Sequence, residues 1–404
     1  MSENTTVRNI DILKAVFVQY YPDKFLAYET ALSVVASSYV AGISQPIPVI
    51  FRGVAGSRKS TILEIVHGLE EDQESVVWVN NFTSKAFASA APNRDPDDDL
   101  LPEIKGKTMI TPELGTLFRD RGLKEKVGIL LNLLDGKGFS YRTGMNKVEY
   151  IGNYRWNWLG GIVSIPPKVW EEFGTGGPRF NFHEMESQVK TLSRAELKAN
   201  LHSMIHGTES ANEVIEKLRN AQSVFFQQLD LDMENLIVFD GIKDEAEALD
   251  VIDESALLVG QLRRFVTIKK VRGKDVINLG EPEDPQRAGV MYKGIAMGHA
   301  VISERNYITI EDVRIIVKIA IDSAPGKRGK LFRELVKGKC KVTIDEFMRS
   351  AGISRHTALK EFEIAEAIGL VTLGKKNGGR GRPRTTAIAT KQTKETITIL
   401  QKFI

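Results

Sequence analysis

The 404 residues, 42% hydrophobic and 26% charged, imply two or three domains and exclude a disordered, collagen-like or coiled-coil chain. A single cysteine, Cys340, excludes an intramolecular disulfide and a cysteine-based zinc site, and with no apolar run of about 18 residues a cytoplasmic chain without membrane contact is expected. The net charge of +3 is uneven: from Pro325 onward 18 basic residues face 7 acidic ones, whereas the preceding chain carries 37 basic against 45 acidic, so the C-terminal fifth is expected to meet a polyanion.

Residues 12–42 carry apolar positions at helical spacing, including Ile12, Val16, Phe25, Ala31, Val34 and Val35, with Gly42 as a stop. They predict a helical lead-in over 1–45. The run Ile47 to Phe51 predicts a buried strand, and Ile62, Leu63, Ile65, Val66 and Leu69 resume a helical period. Between them stands Gly53-Val54-Ala55-Gly56-Ser57-Arg58-Lys59-Ser60-Thr61. Glycines let backbone N–H groups turn onto phosphate oxygens, Lys59 reaches the outer phosphates and the Ser60 hydroxyl can ligate Mg²⁺, so ATP and Mg²⁺ are the expected ligands. Arg58 occupies the position where such loops carry their last glycine, which requires ordinary backbone torsions there.

Val76 to Val79, Met109 to Ile110 and Leu159 to Ile165 predict further buried parallel strands, giving an α/β core over 46–186. The aspartates Asp95, Asp97, Asp98 and Asp99, beside Pro92 and Pro96, read as a solvated surface turn rather than a metal loop. After Lys107-Thr108-Met109-Ile110-Thr111-Pro112, Glu113 is the candidate carboxylate. It either orients the attacking water or joins the metal shell, because Pro112 replaces the acidic residue that usually precedes it. Gly138 to Tyr150, with turn residues Thr143 to Asn146, predicts a β-hairpin. Ser164 is placed to sense the γ-phosphate. Arg179, in Gly176-Gly177-Pro178-Arg179-Phe180, is a candidate cation for a neighbouring subunit's phosphates. From 187 to 325 the pattern reads as a helical lid, with Arg287 in the first turn of a helix, where the dipole disfavours a cation.

This order of motifs resembles the AAA+ ATPases, and within them the minichromosome maintenance replicative helicases and related phage and plasmid replication ATPases. The resemblance spans Ile47 to Ser323 and rests on the loop Gly53 to Thr61, the strand before Glu113, Leu133-Leu134-Asp135-Gly136 feeding the hairpin, Gly177-Pro178-Arg179-Phe180 and Arg287. The segment Tyr307-Ile308-Thr309-Ile310-Glu311-Asp312-Val313 is similar to the start of their final lid helix. The resemblance implies a P-loop AAA+ fold, ring assembly, usually hexameric, with shared active sites, and a hairpin facing a channel that holds single-stranded DNA. By that likeness Lys137, Arg142 and Lys147 contact phosphates. The large N-terminal region of those helicases is missing from this sequence.

Residues 326–404 predict a winged helix-turn-helix domain. A helix from Val342 to Met348, a turn at Gly352, Ser354 as N-cap and a helix from Thr357 to Ile368 precede strands at Leu370 to Leu373 and Ala387 to Ala389. Arg355, His356 and Lys360 are expected to face the major groove of duplex DNA. The wing holds Lys375, Lys376, Arg380, Arg382 and Arg384, and its Arg-Gly-Arg-Pro core resembles an AT-hook, which implies minor-groove insertion. The expectation is an ATP-driven DNA translocase or helicase. An ATP-switched origin-binding initiator or loader is the alternative, and a DNA-binding regulator without hydrolysis the third.

Overall fold

The computed structural model describes residues 8–70, 74–89, 95, 98–118, 123–142, 147–166, 169–170, 179–186, 193–198, 209–272, 274–376 and 384–404. Helices α1 (Asn9–Tyr20) and α2 (Phe25–Ala36) lead into strand β1 (Ile47–Arg52), and residues 53–58 join β1 to α3 (Lys59–His67). There follow β2 (Val76–Trp78), α4 (Leu100–Ile104), β3 (Thr108–Thr111), α5 (Leu123–Leu133), the hairpin β4 (Gly138–Arg142) and β5 (Lys147–Ile151), then β6 (Asn157–Ile162) and β7 (Asn181–Glu184).

Five of these strands form one sheet in the order β2-β3-β6-β1-β7, and every neighbouring pair is parallel. The protein is therefore mixed α/β. The register sets Val49 of β1 beside Leu159 of β6 and Asn181 of β7, and Ile110 of β3 beside the same Leu159. Alternate residues of β1 serve opposite faces: Val49 and Phe51 join a core with Ala31, Val35 and Ile295, while Ile50 packs with Leu130, Trp158 and Phe182. Burial on both sides explains why β1 reads as an unbroken apolar run rather than an alternating one.

Helices α6 (Ala211–Gln228) and α7 (Ala246–Arg263) are followed by an antiparallel hairpin, β8 (Val266–Val271) and β9 (Lys274–Leu279), then α8 (Pro285–Ile302) and α9 (Val313–Asp322). The hairpin corrects the wholly helical expectation for 187–325. Its first strand is rich in β-branched residues, Val266, Thr267, Ile268 and Val271, and Arg272, at φ 50°, follows it in a conformation that favours a reversal over a helix. Helix α8 lies against α2 so closely that a Cβ on Gly298 would fall 1.9 Å from the Ser33 carbonyl oxygen. Only glycine permits that approach.

Beneath this contact His299 is buried, its Nδ1 2.6 Å from Asp312 Oδ1 and its Nε2 3.3 Å from Glu29. Burial works against the charged ring, but the hydrogen bonds and charges of Asp312 and Glu29 carry its pKa from 6.5 up to about 9. A pKa raised on folding means that the protonated ring stabilises the fold fully below pH 6.5 and that this is lost as pH rises through about 9. The loss expected from that shift is about 3 kcal/mol. Urea unfolding at about pH 6.5 and about pH 10 measures it. His299→Gln should remove most of the difference between the two, and an equal difference in both proteins would contradict this role.

The C-terminal elements are α10 (Arg328–Lys337), β10 (Lys341–Thr343), α11 (Ile344–Ala351), α12 (Arg355–Ala367), β11 (Val371–Lys376), β12 (Arg384–Ala389) and α13 (Lys391–Leu400). The strands form an antiparallel sheet, β10-β12-β11. Val342 belongs to β10 rather than to a helix, because Thr343 caps α11 by accepting from Glu346 N while the Glu346 carboxylate returns to Thr343 N. Gly352, at φ 63°, ends α11, and Ser354 Oγ accepts from Thr357 N to start α12. Phe347 and Phe362 stack at 5.6 Å between the two helices. Among the described residues no helix is long and apolar enough to cross a membrane.

Candidate functional site

The parallel register places the C-terminal ends of β1, β3 and β6 side by side, which brings the loop 53–58, Glu113 and Ser164 to one edge of the sheet. The loop is tightly made. A Cβ on Gly53 would lie 2.8 Å from Met185 and 2.9 Å from Ser57 Oγ, and Gly56 takes φ 79°. Both glycines are conformationally required. Ser57 is buried, Ser60 is exposed in the first turn of α3, and Thr61 is half-buried behind it.

Lys59 is 6% exposed. Its ammonium donates to Gly53 O at 2.6 Å, Val54 O at 3.1 Å and Ser57 Oγ at 3.3 Å, so the loop folds around its own cation. Burial lowers the Lys59 pKa, opposed by the charges of Glu113 and Glu184, which favour the ammonium. Arg58 does not have ordinary torsions: at φ 72° and ψ 17° it is left-handed. That conformation costs a non-glycine residue about 1 kcal/mol or more. Its guanidinium lies over the Tyr21 ring at 5.5 Å, a contact worth about 0.5–1 kcal/mol that offsets part of the strain.

Glu113 is exposed, and its Oε1 accepts from Gly115 N at 2.8 Å. Leu114 N donates to Gly161 O, and a Cβ on Gly161 would fall 2.3 Å from Pro112 O, so the turn carrying Glu113 is pinned against β6. Strand β6 stops at Ile162, and Ser164 stands two residues beyond it, exposed, rather than within a strand reaching Ile165. Glu184, which the sequence reading missed, ends β7 at the same edge and pairs with Arg52 at 2.6 Å. Its position at the end of the short strand Asn181-Phe182-His183-Glu184 resembles the strand-then-carboxylate pattern that singled out Glu113.

A cavity of about 770 Å³, lined among others by Pro22, Lys24, Glu184, Met185, Arg314 and Lys318, lies on the far side of Met185, and no residue of the loop lines it. Behind its lining residues Lys318 and Arg333, buried Asp322 is held at a pKa of about 2, where burial, which opposes ionisation, is outweighed by Lys318 at 2.9 Å, Arg333 and His183.

Arg179 and Arg287 come together elsewhere. Arg179 Nε lies 3.0 Å from Asp135 Oδ1 and its Nη2 3.4 Å from Oδ2, while Arg287 Nη1 lies 2.8 Å from Oδ1. Burial opposes the Asp135 charge, but the two guanidiniums hold its carboxyl below the usual range. Arg179 precedes β7 and so stands at the N-terminal end of the sheet, level with the start of β1. Six residues at about 3.3 Å each put the loop roughly 20 Å away.

Lys137, Arg142 and Lys147 are exposed on the β4–β5 hairpin, Lys147 paired with Glu149. On α12 His356 is exposed, Lys360 half-buried, and Arg355 is tied to Asp345 at 3.1 Å. Lys375, Lys376 and Arg384 lie in the backbones of β11 and β12. Gly177, Pro178, the turn Thr143 to Asn146, Arg380, Arg382 and Asp97 lie outside the described residues. Asp95 and Asp98 are exposed, as a solvated turn requires, but Asp99 departs from that reading. It is 1% exposed and accepts from Ser89 N at 3.1 Å and the Tyr150 hydroxyl at 2.7 Å, partners that its local sequence does not reveal. Among the described residues no group of three or more His, Cys, Asp and Glu is arranged to hold a metal.

No family model matches the chain, and no curated protein is significantly similar to it.

Proposed function

We propose that the protein is an ATP-hydrolysing, DNA-translocating ring protein of the AAA+ type, resembling replicative helicases, with a winged-helix module that grips duplex DNA. One observation carries this reading: the loop around Lys59 leaves strand β1 at the same edge of the sheet where Glu113 and Ser164 leave the next two strands, β3 and β6. A triphosphate at that edge meets backbone N–H groups, the positive end of α3 and the Lys59 ammonium together. The buried cation, already held by loop carbonyl groups, suits an anionic ligand. Ser60 and Glu113 would hold Mg²⁺, which neutralises phosphate charge. Glu113 is placed to orient a water molecule, and Ser164 to hydrogen-bond the outer phosphate.

Arg179 and Arg287 are too distant from their own loop to touch its nucleotide, so their contribution requires a neighbouring subunit, as in a ring. The helix-turn-helix formed by α11 and α12, with the two-stranded extension β11–β12, supports duplex binding by the basic C-terminal fifth. The origin-binding initiator remains the second reading, favoured by Arg58, whose left-handed strain and Tyr21 contact suit a slow switch better than rapid cycling. Phosphate release measured with and without forked DNA tests the proposal. Hydrolysis stimulated at least tenfold by DNA is expected, and a rate indifferent to DNA would contradict the motor.

A further inference from the structure

The Asp135 carboxylate stands between two guanidiniums carried by separate segments: Arg179 from the start of β7 and Arg287 from the first turn of α8. One negative charge faces two positive ones. Among the described residues the nearby carboxylates of the same loop are committed elsewhere, Asp284 capping Gln286 N at 2.9 Å and Glu283 facing Arg263 at 3.2 Å in the interior. The group is thus an anion site under-filled by its own occupant, and paired guanidiniums are the side chains best suited to phosphate oxygens. It stands beside the start of β1, since a Cβ on Gly136 would lie 2.9 Å from both Pro46 and the Ser44 carbonyl.

Asp135 is also joined to the β4–β5 hairpin without slack. Gly136 O accepts from Tyr154 N at 2.9 Å, closing the hairpin's base. Gly138 opens β4 at φ 83°, where a Cβ would fall 1.9 Å from Tyr150 O. A movement of Asp135 therefore reaches the strands that carry Lys137, Arg142 and Lys147.

We propose that Asp135 is an internal stand-in for phosphate: it masks Arg179 and Arg287 until the terminal phosphate of a nucleotide bound to a second copy of this chain displaces it, and its release frees the hairpin's root. The inference rests on the proposed function and deepens it by naming a regulator of the shared site. Asp135 is a positioning residue; it touches the arginines and not the nucleotide. A phosphate carries more charge and more acceptor oxygens than a carboxylate, so the exchange is favourable only once a neighbour presents one. Without a neighbour the clamp stays closed and the hairpin stays rooted.

The test compares wild type, Asp135→Asn and Asp135→Glu as full chains, reading ATP hydrolysis against protein concentration with and without single-stranded DNA. Asp135→Asn should reach half-maximal turnover at a protein concentration at least fivefold lower, with its DNA stimulation falling towards one; Asp135→Glu, which keeps the charge, should behave as wild type. Unchanged concentration dependence and stimulation in a folded Asp135→Asn overturn the inference while leaving the proposed function standing. If wild type itself hydrolyses no ATP, both fall. Hydrogen exchange on wild type covers the case in which Asp135→Asn does not fold. Amides of 136–142 and 147–154 should exchange faster with a slowly hydrolysed ATP analogue only at concentrations that support assembly, and exchange indifferent to concentration overturns the inference.

Discussion

Lys59→Ala should lower ATP turnover by at least two orders of magnitude. The ammonium is the one cation that the fold buries within the loop, and the charge developing on a transferred phosphoryl group is stabilised chiefly by such fixed, preorganised cations. Removing it leaves Gly53 O and Val54 O without their donor, at a cost of about 1–2 kcal/mol, because the loop's outer surface lets water replace it. Turnover and thermal melting measured together separate the two effects. A variant that melts within a few degrees of wild type and is inactive places the defect in the chemistry, whereas unchanged turnover would remove the loop from the mechanism.

The second large effect is expected at Arg179. Arg179→Ala should leave nucleotide binding intact and lower turnover about 10³-fold, the lower end of what an arginine supplied across an interface contributes. Glu113→Gln should be comparably slow for a different reason, loss of the carboxylate that orients water. Arg179 stands at the opposite end of the sheet from the loop, so the proposed ring assigns the two defects to different partners of one interface. In a randomly mixed ring of equal parts, about a quarter of the interfaces join an intact Glu113 to an intact Arg179. The mixture should therefore recover about a quarter of wild-type turnover from two nearly inactive proteins. A mixture no faster than the sum of its parts would show that Arg179 acts within its own chain or not at all.

The sequence made the local elements legible and the distant pairings illegible. Strand β1, the loop and α3 were readable because a run buried on both faces, two obligatory glycines and a 3.6-residue period sit next to one another in the chain. The cap at Ser354 was readable for the same reason, as it is satisfied within three residues. The position of β6 between β1 and β3 is a different kind of fact. Parallel register is decided by packing between segments far apart in the chain, Ile47 and Thr108 both pairing with Asn157, and no local pattern encodes it.

Asp135 illustrates the point at the site. It appeared only as part of a motif feeding the hairpin, and what gives it importance is a pair of arginines 44 and 152 residues away. The β8–β9 hairpin was missed for the opposite reason. Its β-branched run Val266-Thr267-Ile268 was a local signal, overridden by the helical periods on either side.

Calorimetric titration of Mg-ATP into the full chain, with Lys59→Ala in parallel, bears most directly on the phosphate-binding loop. Saturable binding of one nucleotide per chain, weakened at least 100-fold by the substitution, is the expected result. No binding to wild type, or equal binding to both proteins, would contradict it.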